Sequence, residues 1–242
     1  MTLLIALWIS SMPQAAQPAA PRPDLLQQIA CAPIGLPAPP MPSMRVLGGY
    51  VHGRTMFAPG DAVIVGGGQD VQKGQQYFVR RLVTDPSTQQ PKVGALYGVH
   101  TAGWVTIVDV KDVMAVATVT HSCDGVLEGD YLEPFVAPIA PPRSLTGTPD
   151  YEHPGRILLA DERRQTGSAG QVVLMDRGVD DGVRGGQLLT IYRPTLGGVG
   201  PVIDIGRGTV LSANAKSSLV RVDSSREPVY LGDFVAIHRI TQ

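Results

Sequence analysis

The sequence repeats one pattern of glycines and apolar residues in its two halves, and this repeat limits the possible folds more than any other feature. Three segments recur: Gly60–Val65, Val71–Gln75 and Val126–Leu132 in the first copy, and Gly170–Met175, Val183–Gln187 and Val229–Val235 in the second. A unit of roughly 85 to 110 residues is large enough to bury its own core. The 242-residue chain is therefore predicted to form two similar domains.

The repeated segments have the composition of short β-strands. Runs such as Ala62–Val65 are rich in β-branched residues and follow a glycine. Val220 and Val222 alternate with other residues, as in a strand with one buried face. About six such strands per copy favour a small closed barrel, because closure removes exposed edges. The predicted fold is all-β, with two tandem small β-barrels, a short N-terminal helix and proline-rich linkers.

Six strands are predicted in each copy. They are 44–51, 61–65, 76–83, 103–110, 113–120 and 131–135 in the first copy, and 156–160, 171–175, 187–193, 208–213, 218–223 and 233–238 in the second. Lys111 and Asp112 lie between two of these strands and are predicted to form a two-residue hairpin turn.

The regions outside the repeat set the domain boundaries. Asp24–Cys31 is predicted to form a short helix with Asp24 as its N-cap, and Pro33–Pro42, with five prolines, must be extended. The predicted parts are a signal peptide and spacer at 1–22, a helix and proline-rich strap at 23–44, the first barrel at 45–137, a proline-rich linker at 138–154 and the second barrel at 155–242. The loop from Thr84 to Gly98 is predicted to hold the residues by which the first copy is longer.

Eight residues of the repeat are predicted to form structural turns: Gly60, Gly74, Gly129, Gly170, Gly186, Gly232, Asp130 and Asp233. Glycine adopts a positive φ angle without steric cost, and aspartate accepts hydrogen bonds from nearby backbone amides. These properties explain the recurrence of the eight residues without a chemical role.

The N-terminus and the two cysteines indicate export. Leu3–Ile9 is a short apolar run followed by small residues at Ala15 and Ala16, although no basic residue precedes it. The run is too short to span a bilayer. In an oxidising compartment Cys31 and Cys123 are expected to form a disulfide, so that reduction is expected to destabilise the first barrel and leave the second nearly unchanged. A lipid anchor on Cys31 and two unrelated buried thiols are the alternatives.

The order of glycine, apolar strand, Val-x-x-Gly and strand, closed by Gly-Asp and an apolar strand, resembles small β-barrel modules of bacterial envelope proteins. It is similar to the C-terminal domain of the flagellar assembly protein T family and to modules that follow LysM domains. The likeness covers Gly60–Leu132 and Gly170–Val235. It implies a periplasmic or outer-membrane-associated assembly module. No LysM repeat or flagellar feature is recognisable in the sequence, so a role in the flagellar basal body is not expected.

No catalytic, cofactor-binding or metal-binding residue is predicted, and no cofactor. His121–Asp124 lacks the ligand spacing of a zinc site, and Gly66–Gly68 lacks the Gly-Lys-Ser or Gly-Lys-Thr of a phosphate-binding loop. Gly167–Gly170 is too short for a nucleophile elbow. The carboxylates of Asp161 and Glu162 point to opposite faces if the segment is a strand. The aromatic residues Tyr77, Phe78, Tyr97 and Trp104 are interpreted as core residues rather than a ligand platform.

These observations favour an exported, non-enzymatic scaffold or adaptor of the cell envelope, periplasmic or associated with the outer membrane. Its predicted partners are other envelope proteins or peptidoglycan. A net charge of -1 gives no basic surface for nucleic acid. One alternative is a module that binds peptidoglycan or another glycan. A second is a hydrolase with a dispersed site that uses His121 or His52 with a nearby carboxylate.

Overall fold

The computed structural model describes residues 25–51, 53–67, 70–84, 92–93, 96–142, 144–160, 165–195 and 200–239. The predicted signal peptide, Asp24, His52 and the pair Asp161 and Glu162 lie outside these residues. Most of the regular structure is β-strand, which confirms the prediction of an all-β fold. No helix in the described ranges is both long enough and apolar enough to cross a bilayer.

One short helix precedes a series of short strands. The first copy and the segment before it contain α1 (Leu25–Cys31), β1 (Ile34–Leu36), β2 (Arg45–Gly49), β3 (Met56–Phe57), β4 (Ala62–Gly66), β5 (Gln76–Leu82), β6 (Lys92–Val93), β7 (Leu96–Lys111), β8 (Met114–Ser122), β9 (Val126–Leu127) and β10 (Tyr131–Pro134). The second copy contains β11 (Thr148–Ala160), β12 (Thr166–Gly167), β13 (Val172–Met175), a 3-10 turn (Val179–Asp181), β14 (Leu188–Pro194), β15 (Val202–Ala213), β16 (Ser218–Ser225), β17 (Val229–Tyr230) and β18 (Phe234–Arg239).

Each copy closes into a ring of six antiparallel strands. The first ring has the order β7-β5-β10-β2-β4-β8 and is closed by pairing of β8 with β7. The second has the order β15-β14-β18-β11-β13-β16 and is closed by pairing of β16 with β15. The two orders are identical when each strand is replaced by its counterpart. The short pairs β3–β9 and β12–β17 also occur at the same place in both copies. The sequence repeat is therefore a repeat of topology.

Six turns of one geometry lead into the ring strands. The six predicted glycines all have φ between 85° and 93°, the angle required at the third position of a type II turn. The residue after each glycine accepts a hydrogen bond of 2.6 to 2.9 Å, through its side-chain oxygen, from the first backbone N–H of the turn. These residues are Asp61, Gln75, Asp130, Gln171, Gln187 and Asp233. Of the six, the sequence analysis identified Asp130 and Asp233.

Each turn is bonded to a core residue of the antiparallel strand that pairs with the strand after the turn. The glycine N–H donates to the carbonyl of that residue, and the residue's own N–H donates back to the carbonyl after the glycine, all at 2.7 to 2.9 Å. The core residues are Val119, Ile107, Val46, Val222, Val210 and Ile157, in the order of Gly60, Gly74, Gly129, Gly170, Gly186 and Gly232. None of the core residues is more than 1 % exposed. The turns thus fix the register between each of these strands and its antiparallel neighbour.

An arginine strengthens the last turn of each copy. Arg81 donates from Nε and Nη2 to the two carboxylate oxygens of Asp130 at 2.7 Å, and Arg193 binds Asp233 in the same way at 2.8 Å. Both aspartates are buried. Paired hydrogen bonds between a guanidinium group and a carboxylate are strong and fix geometry. These two arginines are therefore structural residues.

The linker and loop boundaries predicted from the sequence are wrong in part. Thr148–Pro154, assigned to the linker 138–154, belongs to β11 and pairs with β18. The ladder is irregular between Asp150 and Gly155, and this irregularity accommodates Pro154, which has no N–H to donate. The predicted loop from Thr84 to Gly98 includes β6 and the start of β7. The hairpin turn is formed by Asp112 and Val113, because Lys111 pairs with Met114.

Two strands extend well before their predicted starts. β7 begins at Leu96 rather than Gly103, and β15 begins at Val202 rather than Gly208. Both strands continue through a glycine near the predicted start, and this glycine allows close contact with the neighbouring strand. A Cβ atom on Gly103 would lie 2.1 Å from the carbonyl oxygen of His121, and one on Gly206 would lie 2.4 Å from that of Ser224. These glycines are parts of strands, not strand ends.

The register also places the length difference between the copies. Arg81 pairs with His100, and Arg193 pairs with Ile203. The offset is 112 for the arginines and 103 for their partners, so the nine additional residues of the first copy lie between β5 and β7. Each ring encloses its own apolar core, and a third apolar cluster lies between the rings.

Replacement of Gly74 by alanine is expected to lower the free energy of unfolding by about 1–2 kcal/mol, because a Cβ atom is strained at positive φ. The φ angle is 89°, and open space surrounds the position, so no clash adds to this loss. Urea denaturation measures the change. Lys73→Ala, at the exposed preceding position, is the control and should change stability little. Equal stability of Gly74→Ala and Lys73→Ala would contradict this role of the glycine.

Candidate functional site

The outer surface of the second ring carries an apolar patch that is buried inside the protein. We call it the covered face, and its residues are Leu158, Val172, Leu174, Leu211 and Leu219. They lie outside the core of their own ring, yet none is more than 8 % exposed. They pack against residues from the first copy and the segment before it, namely Leu25, Ile29, Ala32, Val83 and Leu96. The covered face therefore forms the interface between the two rings.

Residues 25–36, which include α1 and β1, lie over the covered face, and we call them the cover segment. A Cβ atom on Gly35 would lie 3.2 Å from Cδ2 of Leu174, which places β1 directly against the face. The side-chain amide of Gln28 donates to the carbonyl of Gly170 at 3.3 Å. The first part of the predicted proline-rich strap, Pro33–Leu36, is thus a packed element that joins both rings, whereas Pro37, Ala38, Pro39 and Met41 are exposed.

The cover segment is attached to the first ring by a covalent bond and by a ladder. Cys31 and Cys123 form a disulfide with a Cα–Cα distance of 5.6 Å. β1 pairs with the start of β7, with Ile34 opposite Val99. The hydroxyl of Thr101 also donates to the carbonyl of Ala32 at 3.1 Å. Because the same segment packs on the second ring, the disulfide supports the interface as well as the first barrel.

The first ring has the same apolar patch, but the patch is exposed. We call it the open face, and its residues are Leu47, Ile64, Val108, Met114 and Val116. Ile64 pairs with Val116 as Leu174 pairs with Leu219, so the strand register relates these two pairs. Met114 pairs with Gly66 and lies at the register position of Ser217. Leu47, Val108 and Met114 are 50 %, 36 % and 49 % exposed, while Ile64 and Val116 are partly buried. Contiguous exposed apolar patches on soluble proteins mark interaction sites. The open face is the strongest candidate for a binding surface.

Four aromatic rings form a second cluster on the outside of the first ring. Trp104 stacks on His121 with 4.2 Å between ring centroids, and Phe135 lies 4.5 Å from Phe78 and 5.6 Å from Trp104. The guanidinium of Arg80 lies over Phe78. The prediction that the aromatic residues are core holds for Tyr77, whereas Phe78 is buried within the outer cluster, and Trp104 and Tyr97 are partly exposed.

His121 and the cysteines are close together, but they cannot form a metal site while the disulfide is intact. The ligand atoms of Cys31, His121 and Cys123 lie within 4.8 Å of one another, and both sulfurs are in the disulfide. Nε2 of His121 contacts Nε2 of Gln27 at 3.0 Å. Partial burial lowers the pKa of His121, so its imidazole is neutral at pH 7. The His121 cluster therefore supports the packing of α1 on the first ring.

A charged cleft of about 550 Å³ lies on the second ring. It is lined by Glu152, His153, Pro154, Arg156, Asp176, Arg177, Asp181, Phe234 and Arg239. Next to it, Oδ2 of Asp150 is 3.2 Å from Nδ1 of His153 and 3.1 Å from Nε of Arg239. Arg177 donates to the carbonyl of Pro154, and Arg156 lies over the ring of Phe234. The arginines of the cleft are thus engaged with the protein itself.

The cleft lies beside a histidine–carboxylate pair, and none of its described lining residues is serine, threonine or cysteine. The pair is formed by His153, not by His121 or His52, the histidines considered from the sequence. The other two described histidines have different settings. His100 is buried, and His238 lies 2.9 Å from the hydroxyl of Thr190. The arrangement beside the cleft can orient the imidazole of His153.

No family model matches the sequence, and no curated protein matches it.

Loss of the disulfide is expected to weaken the interface between the rings. In the Cys31→Ser, Cys123→Ser double variant, opening a loop that spans 92 residues should lower the free energy of unfolding by about 4 kcal/mol. Relative to wild type, amide hydrogen exchange should also accelerate more at Leu174 and Leu219 of the covered face than at Ile191 of the second core. Unchanged exchange at Leu174 and Leu219 would show that the disulfide does not support the interface.

The Asp150 carboxylate is expected to stabilise the second ring in a pH-dependent way. Partial burial raises its pKa, but hydrogen bonds from Arg239 and from the backbone of His153 and Glu152 outweigh this and lower the pKa to about 2. The contribution is therefore fully present above the unfolded pKa of about 4 and is lost as the pH falls through 2. Asp150→Asn should be less stable than wild type at pH 7, and the difference should shrink towards pH 2. Thermal unfolding across this range measures it, and a constant difference would contradict the assignment.

Proposed function

We propose that the chain is an exported, non-enzymatic protein of the cell envelope that acts as a structural scaffold or assembly adaptor, and that it binds its partner through the open face. The observation that carries this proposal is the difference between the two faces. Leu158 on the covered face is 8 % exposed, whereas its counterpart Leu47 on the open face is 50 % exposed. An aliphatic surface of this kind is stabilised when a partner removes it from water.

Two features support the location. The apolar run Leu3–Ile9 has the pattern of an export signal. The Cys31–Cys123 disulfide is compatible with an oxidising compartment outside the cytoplasm. The resemblance to envelope β-barrel modules also implies this compartment.

A role without catalysis is supported by how the charged groups are used. Arg81 and Arg193 are bound to buried aspartates that belong to turns. Arg239 is bound to Asp150 and to the carbonyl of Asp181. Groups held in this way stabilise the strands and are not presented to a substrate.

A photo-crosslinking residue at Leu47 is expected to capture a protein partner in the native envelope. The matched control carries the crosslinker at Val179, which is similarly exposed at 56 % but lies on the second ring, outside both faces. Addition of Met114→Glu to the protein that carries the crosslinker at Leu47 should abolish capture, because a buried carboxylate without a partner opposes binding. Equal capture from Leu47 and Val179, or capture that is unaffected by Met114→Glu, would contradict the proposal.

The aromatic cluster favours glycan binding as a second candidate function. Trp104 and His121 are partly exposed and stacked, and their counterparts in the second ring are Arg207 and Ser224. An exposed aromatic face can pack on the apolar face of a sugar ring. Retention on purified sacculi that is lost in Trp104→Ala but kept in Met114→Glu would favour this function over the scaffold.

A further inference from the structure

We propose that the open face of one chain binds the free end of the second ring of another copy, so that the protein assembles head to tail. The inference rests on the proposed function, because it uses the same open face and names its partner. It starts from the contact between the rings within one chain, which is heterologous: the covered face of one ring packs against a different surface of the other. A heterologous contact that is repeated in one direction does not close on itself.

The long strands separate these surfaces within each ring. β7 contributes Leu96 to the interface at its start and Val108 to the open face twelve residues later, roughly 40 Å along an extended strand. β15 contributes Leu211 to the covered face near its end, and Val202 lies nine residues earlier, roughly 30 Å along the strand. The open face and the start of β15 therefore lie far along their strands from the residues that form the interface.

The start of β15 exposes aliphatic side chains that its counterpart buries. Val202 and Ile203 occupy the register positions of Val99 and His100, as the pairing of β14 with β15 and of β5 with β7 shows. Val99 is 0 % exposed and His100 4 %, because the cover segment and β1 lie against the start of β7. Val202 and Ile203 are 48 % and 51 % exposed. With Tyr151, which is 38 % exposed and donates a hydrogen bond to Asp204, they form what we call the free end.

Within one chain, the covered face of one ring meets the start of a long strand of the other. Each chain also carries one exposed surface of each of these two kinds. The open face is the counterpart of the covered face, and the free end is the counterpart of the strand start that packs near that face. Terminal units of stacked repeats normally carry a polar outer surface that stops further stacking. Neither end of this chain does so, since both present aliphatic side chains. A second copy of the chain supplies the complementary surface for both ends at once.

Sedimentation velocity with paired variants tests this assembly. Wild type should form species larger than the dimer as its concentration rises. Met114→Glu disables the open face, Val202→Glu disables the free end, and each alone should remain at the monomer mass. Mixed in equal amounts, the two variants should form a dimer and nothing larger, because one intact surface of each kind remains. Val179→Glu, a valine of similar exposure outside both surfaces, is the control and should assemble like wild type.

Three results would overturn the inference: wild type that is monomeric at every concentration, a mixture of the two variants that stays monomeric, or a Val202→Glu variant that associates as wild type does. The last result would mean that open faces pair with each other. Circular dichroism of each variant verifies that it is folded, and Leu47→Glu serves as a second variant of the open face. If wild type is monomeric but the crosslinker at Leu47 captures another protein, the scaffold function stands and the head-to-tail assembly falls. Failure of both experiments removes both proposals.

Discussion

The fold depends on a pair of backbone hydrogen bonds that joins a turn glycine and the residue after it to an aliphatic core residue of the neighbouring antiparallel strand. The pair occurs six times, three times in each ring. It joins local sequence to tertiary structure, because the positive φ of the glycine directs its N–H at a residue far away in the chain. The Asp or Gln that follows binds the start of the turn and keeps it closed. Each of these turns therefore sets both where a strand begins and which residue of the opposite strand enters the core.

The sequence predicted the parts of the fold that depend on local constraints. The six turn glycines could be found because glycine adopts positive φ without strain. Strand extents were harder to predict, because β7 and β15 continue before their predicted starts through Gly103 and Gly206, which permit close contact between strands. Pro154 concealed the first half of β11, since the irregularity that accommodates it depends on pairing with β18, about 80 residues later.

The candidate binding surface could not be predicted from the local sequence. Ala62–Val65 and Val172–Met175 are both continuous apolar runs, and nothing within them distinguishes an exposed outer face from a buried one. The difference comes from the cover segment, which lies on the second ring although it precedes the first. The two copies also differ in their outward residues, with Trp104 and His121 in one and Arg207 and Ser224 in the other. The shared residues specify the barrel, and the outward residues distinguish the copies.

The position of the cover segment has a consequence for the order of folding. Ile29 is among the first described residues to be synthesised, but its packing partners include Leu219, which is made 190 residues later. Contacts so distant in sequence form slowly. During that delay the first ring can close on its own with the cover segment attached through β1 and the disulfide. The apolar side of the segment then stays exposed to competing partners until the strands of the covered face have been made.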